Sequence, residues 1–291
     1  MESVPYAFCD AVCDVLTDLD ALVELTSDNS NCGTWKSAAV ATSAGRVTVE
    51  VDINYKDGVW SYLICKIAKN EQISNTFQEL KAISRCCVRI SSVGIGTWNG
   101  LGNSHISTVD EVKEILKYSA LFVNSARMWI AENLKIPEDI LAQLLSPFCN
   151  SSFLDICVGI YSTAAEHLLT VQLQSEGLKI IDIRGHGWSD ELRVSIERFA
   201  LTKPFTNVDV ENSLVFGLKF LKKLLRKSCL HERFAFEARF GAKFRKLRKL
   251  KKETQIQTDR YRIAWRRTDG AEMEITRFYF DRFRIQFNCD N

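Results

Sequence analysis

The sequence is poor in the features that mark flexible, secreted or membrane-spanning chains. It holds only four prolines and fourteen glycines in 291 residues, so no long flexible linker is expected. It contains no apolar run of roughly eighteen residues, which excludes an ordinary membrane-spanning helix. Met1–Pro5 lacks the basic and apolar segments of a signal peptide. We therefore expect a folded protein of the cytoplasm or nucleus, with no membrane partner.

Motifs for metal binding and redox chemistry are also missing. None of the ten cysteines forms a C-x-x-C pair, and the four histidines include no pair at zinc-binding spacing. Free cysteine behaves as a small buried apolar residue when the compartment is reducing. We expect the thiols to be part of the core, and we expect no metal and no cofactor.

Two stretches come nearest to a nucleotide-binding or catalytic motif. Gly94–Gly102 is glycine-rich, but a dinucleotide fingerprint needs a helix directly after the turn, and the next helix cap is Ser107 or Thr108. Arg184–Trp188 is the most site-like histidine neighbourhood, yet no nucleophile motif accompanies it. We interpret the first as a solvent-exposed loop and the second as a turn leaving a strand. The sequence thus predicts a protein that is not an enzyme.

What the sequence does contain is an apolar strand pattern that recurs at nearly constant spacing. If Ile156, Ile181, Val208 and Phe234 are equivalent, the intervals are 25, 27 and 26 residues. Each strand pattern alternates with period two, and helical apolar spacing follows the first three. One strand and one helix per unit of this length predicts a leucine-rich-repeat-like β–α solenoid. The four strand patterns are Phe153–Val158, Leu178–Ile183, Phe205–Val210 and His231–Phe236.

Local signals on both sides of the repeats agree with an α/β fold. Asp57-Gly58 lies between two β-rich runs and predicts a hairpin. Thr108–Glu111 and Thr163–Glu166 each predict a capping box at a helix start. The runs 256–267, 272–280 and 281–287 predict a hairpin and a further strand that cap the repeats.

Charge is nearly balanced over the chain but unevenly placed. The formal net charge is +2, whereas Lys219–Lys252 holds fourteen Lys and Arg against Glu232 and Glu237, a local net of +12. Three interpretations stay open: a solvated face, a surface for an acidic protein, and a nucleic-acid site with salt-dependent affinity. The last is the least favoured, because no recognised nucleic-acid fold accompanies it. The densest part, which we call the basic patch, comprises Lys243, Arg245, Lys246, Arg248, Lys249, Lys251 and Lys252.

The start of the chain carries a distinctive apolar register. Counting from Pro5, large apolar residues follow at +3, +7, +11, +17 and +20, and Trp35 lies downstream: Phe8, Val12, Leu16, Leu22 and Leu25. This register resembles the F-box, a helical module that docks on the adaptor of cullin-RING ubiquitin ligases. More closely, Ser3–Val12, Asp57–Tyr62 and Trp188–Leu192 look like segments of a large nematode-expanded family. Its members combine F-box-like starts with repeat-like C-terminal halves.

Repeats and resemblance together give the expected architecture: an irregular leucine-rich-repeat-like solenoid with a helical F-box-like start and β-hairpin additions. The expected parts are an F-box-like segment over 1–42, a β-hairpin over 43–70, the β–α repeats over 71–252 and a β-rich cap over 253–291. The resemblance implies a substrate receptor of an SCF-type ligase, with catalysis in other subunits. The repeats would hold an unknown protein substrate. The residues that would contact the adaptor are Pro5, Phe8, Val12, Leu16, Leu22 and Leu25.

Two alternatives remain open. Any amphipathic helix pair offers similar apolar positions, so the N-terminal helices could serve only to cap the repeats. The protein would then be a binding scaffold with no connection to a ligase. The other alternative is nucleic-acid binding through the tract 219–252, which requires an affinity that falls steeply with salt.

Overall fold

The protein is a mixed α/β fold that forms two compact units, Met1–Arg127 and Met128–Asn291. The computed structural model describes residues 5, 8–9, 12, 33–68, 71–83, 87–97, 104–211, 214–224, 234–241, 255–258, 262–266, 272–277 and 282–288. Within these ranges, no helix has both the length and the apolar character that crossing a membrane requires.

The first unit is built around a mixed sheet. Its described elements are α1 (Gly33–Gly45), β1 (Val47–Lys56), β2 (Val59–Ala68), β3 (Glu71–Asn75), α2 (Phe77–Ala82), β4 (Val88–Gly96), β5 (His105–Ser107) and α3 (Val109–Ala120). β1 pairs antiparallel with β2 and parallel with β4. β3 and β5 pair with different halves of β2. Helix α3 contacts β2 and buries Val112, Ile115 and Leu116.

A two-residue turn joins β1 to β2. Asp57 and Gly58 both have positive φ, at 51° and 83°. Positive φ at both central residues is the requirement of a type I′ turn, whose twist matches that of the flanking strands. Lys56 and Val59 then pair directly across the turn. The hairpin expected from the Asp-Gly signal is confirmed.

Threonine side chains start two helices of the first unit. Thr76 accepts from the Glu79 N–H at 3.2 Å, and the Glu79 carboxylate accepts from the Thr76 N–H at 2.6 Å, which is a full capping box. Thr108 accepts from the Glu111 N–H at 3.2 Å, as predicted. The Glu111 carboxylate, however, accepts from the Ser107 hydroxyl at 2.7 Å. Thr108 is therefore the N-cap of α3, as predicted. The second bond of the predicted capping box differs, because the Glu111 carboxylate bonds to the Ser107 side chain.

The second unit combines parallel and antiparallel strands. After β6 (Val123–Ile130), within which the division between the units falls, its elements are α4 (Glu138–Leu145), β7 (Ser152–Val158), α5 (Thr163–Gln172), β8 (Ile180–Ile183), α6 (Asp190–Thr202), β9 (Asn207–Val210), β10 (Val215–Phe216), α7 (Leu218–Leu224), β11 (Phe234–Phe240), β12 (Gln255–Thr258), β13 (Arg262–Arg266), β14 (Glu272–Arg277) and β15 (Arg282–Asn288). β7, β8, β9 and β11 are parallel neighbours in that order. β11 also pairs antiparallel with β15, and β14, β13 and β12 follow as a meander.

The C-terminal strands agree in part with the predicted hairpin. β14 is the second arm of that hairpin and β15 is the predicted further strand, but the predicted first arm 256–267 is wrong as one strand, because it contains two antiparallel strands, β12 and β13. The limits 1–42, 43–70, 71–252 and 253–291 stay predictions.

One row of buried residues crosses the sheet of the second unit in register. Ile156 pairs with Ile181, and Ile181 pairs with Val208. The residue of β11 opposite Val208 is Phe236. The predicted equivalence is thus right for three strands and wrong by two residues for Phe234, because positions two apart share a face and period two cannot separate them. We call this fully buried set the core row: Ile156, Ile181, Val208, Phe236, Ile285 and Ile275.

Helices cover the face of the sheet that carries the core row. Phe220 of α7 packs on Phe236 with ring centroids 5.3 Å apart. Consecutive helices from α4 to α7 contact one another. The strands alternate between buried and half-buried residues, as Ile181 and Asp182 show on β8. The α/β class is confirmed, and the parallel strand–helix units are stacked in the order that the sequence indicates.

Acidic residues link one helix to the start of the next. Glu138 of α4 accepts from an N–H in the first turn of α5 at 2.9 Å. Glu166 of α5 accepts from both the N–H and the hydroxyl of Ser189, which caps α6. The capping box predicted at Thr163 is wrong, because α5 begins one residue earlier with Ser162 as its cap. With Ser162 as the cap, the glutamate of a capping box would have to be at position 165, and Glu166 lies one residue further on. The Glu166 carboxylate instead bonds to Ser189 at the start of α6.

Gln172 is a polar side chain buried within the second unit. Its Nε2 donates to the carbonyls of Phe148 and Ser151 at 3.1 and 2.8 Å, and only 1% of the residue is exposed. The amide therefore fixes the short 3-10 helix Ser146–Asn150 at the entrance to β7.

We expect Gln172→Met to destabilise the protein by about 1–3 kcal/mol, because the volume is kept while two carbonyls lose their donor. The midpoint of urea unfolding measures the effect. Gln143→Met, on the exposed side of α4, is the control and should shift the midpoint little. Equal midpoints for the two variants would show that the Gln172 hydrogen bonds do not stabilise this unit.

Candidate functional site

The predicted adaptor-binding residues are described only at the first helical turn. The Pro5 carbonyl accepts from the N–H groups of Phe8 and Cys9 at 3.0 and 3.2 Å, so a helical turn starts at Pro5. Phe8 leaves 56% of its surface in solvent, Cys9 is fully buried and Val12 is half-buried. The remaining three lie outside the described residues: Leu16, Leu22 and Leu25.

The exposed Phe8 ring of this turn contacts a second aromatic ring. The Phe8 ring packs edge-on against Trp35 of α1, with centroids 6.1 Å apart. Val40 of the same helix is 49% exposed, whereas Ala38 and Ala39 are fully buried. An exposed aromatic ring that rests on a second ring is pre-oriented for insertion into an apolar pocket of a partner.

The face of the second unit's sheet opposite the core row is polar. One residue beyond the core row, β8, β9 and β11 present Asp182, Asp209 and Glu237 in direct register, and Arg284 of β15 pairs with Glu237. These four residues are half-buried. Five strand spacings make the row about 24 Å long. We call it the outward row: Cys157, Asp182, Asp209, Glu237, Arg284 and Thr276.

Arg184, directly after β8, ties the outward row to a neighbouring loop. Its Nε and Nη2 donate to both carboxylate oxygens of Asp182 at 3.2 and 3.1 Å. Its Nη1 donates to Glu132 at 2.8 Å. The hydrogen bonds with Asp182, followed by the one with Glu132, raise the pKa of Arg184. The three side chains therefore form a charge-assisted network at the carboxyl end of the strands.

The segment Arg184–Trp188 is the turn from β8 to α6. Gly185 and Gly187 have positive φ, at 79° and 102°, and a Cβ on Gly187 would lie 3.0 Å from the Tyr161 ring. The Trp188 indole donates to the Arg184 carbonyl at 2.8 Å, and the indole ring packs edge-on against Tyr161. The glycines thus serve backbone geometry and close packing, as the interpretation of a turn requires.

The glycine-rich stretch that begins at Gly94 differs from the expectation. Gly94 and Gly96 belong to β4, where both are buried and pair with Asp52 and Asn54 of β1. A solvent-exposed loop is therefore the wrong interpretation for residues 94–96, because the strand continues through its glycines. Residues 98–103 lie outside the described part of the chain.

The described cysteines are free thiols. Burial and, after it, the charge of Asp182 raise the pKa of Cys157 to about 12. This thiol is therefore protonated at neutral pH and is a poor nucleophile. Within the described ranges, no group of three or more His, Cys, Asp or Glu side chains could hold a metal ion.

A pair of carboxylates in the first unit did not stand out in the sequence. Asp52 and Glu50 lie two residues apart on one face of β1, and the pKa of Asp52 is raised from 3.8 to about 6 by burial and by the Glu50 charge. Cys65 of β2 lies opposite Glu50, and burial together with both carboxylates raises the pKa of its thiol. The alternation of Val49–Ile53 already places both acids on one face, but only the structure shows that this face is half-buried.

The basic patch belongs to the part of the tract Lys219–Lys252 that lies outside the described residues. All seven of its residues lie outside the described ranges: Lys243, Arg245, Lys246, Arg248, Lys249, Lys251 and Lys252. The described part of the surrounding tract includes α7, on which Lys219, Lys222 and Lys223 are exposed.

Comparison of the chain with protein-family models, with curated proteins and with solved structures finds no match. The geometry of the described residues is therefore the basis for a functional proposal.

We expect Asp52→Asn to stabilise the protein at pH 7.5 and to have little effect near pH 4. The folded pKa lies above the unfolded value, so the folded state loses stability as the pH rises from about 4 through about 6. Removing the charge should recover roughly 2 kcal/mol at the higher pH. Thermal unfolding at both pH values tests this.

Asp57→Asn, in the exposed turn of the same hairpin, is the matched control, since Asn tolerates the positive φ found there. A gain at pH 7.5 that is equal in the two variants would argue against a specific penalty at Asp52.

Proposed function

We propose that this protein is a non-enzymatic protein-binding protein that acts as the substrate receptor of a cullin-RING, SCF-type ubiquitin ligase. In this proposal the second unit is a leucine-rich-repeat-like solenoid that holds the substrate. The N-terminal turn belongs to an F-box-like segment that binds the adaptor of the ligase. Ubiquitin transfer is carried out by other subunits.

The observation that carries the binding role is the difference in burial between the two faces of the second unit's sheet, as far as the described residues form it. Its core row is fully buried, whereas Asp182, Asp209 and Glu237 on the opposite face are half-buried. Parallel sheets of globular enzymes are usually covered on both faces, while repeat proteins keep one face open for macromolecules. The half-buried outward row, about 24 Å long, matches an extended segment of roughly seven residues.

The adaptor role is supported by the exposed Phe8. Phe8 leaves 56% of its surface in solvent, whereas the adjacent Cys9 is fully buried, so Cys9 and not Phe8 fills the core position at this turn. Phe8 is also the first large apolar residue after Pro5 in the register that resembles the F-box. The proposal therefore assigns Phe8 to the adaptor and Cys9 to the core.

We expect Phe8→Asp to weaken binding of purified adaptor by roughly thirtyfold or more, because an aromatic anchor at an interface contributes at least about 2 kcal/mol. The thermal midpoint should stay close to that of the parent, since the side chain is exposed. Binding is measured by pull-down and by calorimetry, and stability by thermal unfolding.

Val40→Asp, an equally polar change at an exposed residue outside the register, should bind as the parent does. Cys9→Asp should instead unfold the N-terminal turn, because it buries a charge. If intact parent protein does not bind the adaptor, or if Phe8→Asp binds as well as the parent, the ligase role is wrong and the binding scaffold is the better description.

A further inference from the structure

We draw no further inference here: the strongest candidate, the exposed apolar patch that Val59, Ile67 and Ile106 form on the face of the first unit's sheet that also carries Asp52, carries no proposal, because nothing in the described part of the chain shows what covers it.

Discussion

The register of the core row is the constraint on which the second unit depends. Ile156, Ile181 and Val208 pair directly across parallel strands, and each is fully buried. Complete burial of such a side chain contributes about 1.5–3 kcal/mol. A slip of one residue in any strand would turn its apolar set towards solvent and its acids into the core. The same register therefore fixes both the core and the position of every side chain on the outward row.

The residues that directly follow β7, β8 and β9 continue the same register beyond the ends of the strands. Gly159, Arg184 and Glu211 each donate their N–H to the carbonyl at the end of the preceding neighbouring strand, at 2.7–2.8 Å. Only glycine fits at position 159, because a Cβ there would lie 2.5 Å from the N atom of Glu132. The close approach at Gly159 brings Glu132 within reach of Arg184. In a similar way, the Glu138 carboxylate joins α4 to α5 and the Glu166 carboxylate joins α5 to α6. Neighbouring strand–helix repeats of the second unit are therefore hydrogen-bonded through their strands, turns and helices.

Periodicity in the sequence was enough to predict the strand–helix order, three of the four register positions and the Asp57-Gly58 hairpin, because these depend on local alternation and turn chemistry. It failed where a residue's role depends on a distant partner. Phe234 and Phe236 share a face, so only pairing with Val208 decides between them. Glu166 looked like part of a local capping box, but its partner Ser189 lies 23 residues away. The acids of the outward row were visible in the sequence only as polar positions between apolar ones.

The outward row places three acids in register, and basic residues of the same face offset their charge. Two carboxylates at strand spacing repel each other by about 1 kcal/mol even in water, and by more where the solvent is partly excluded. Asn207, on the neighbouring level of the same face, shows that an uncharged polar residue is accommodated on β9. Arg184 offsets the charge of Asp182, and Arg284 faces Glu237, but the run of three acids remains in register. Asp209 and Glu237 also interact with other groups of the protein, so the charges of this face are offset within the fold, while the buried core row on the opposite face supplies the apolar burial that stabilises the sheet.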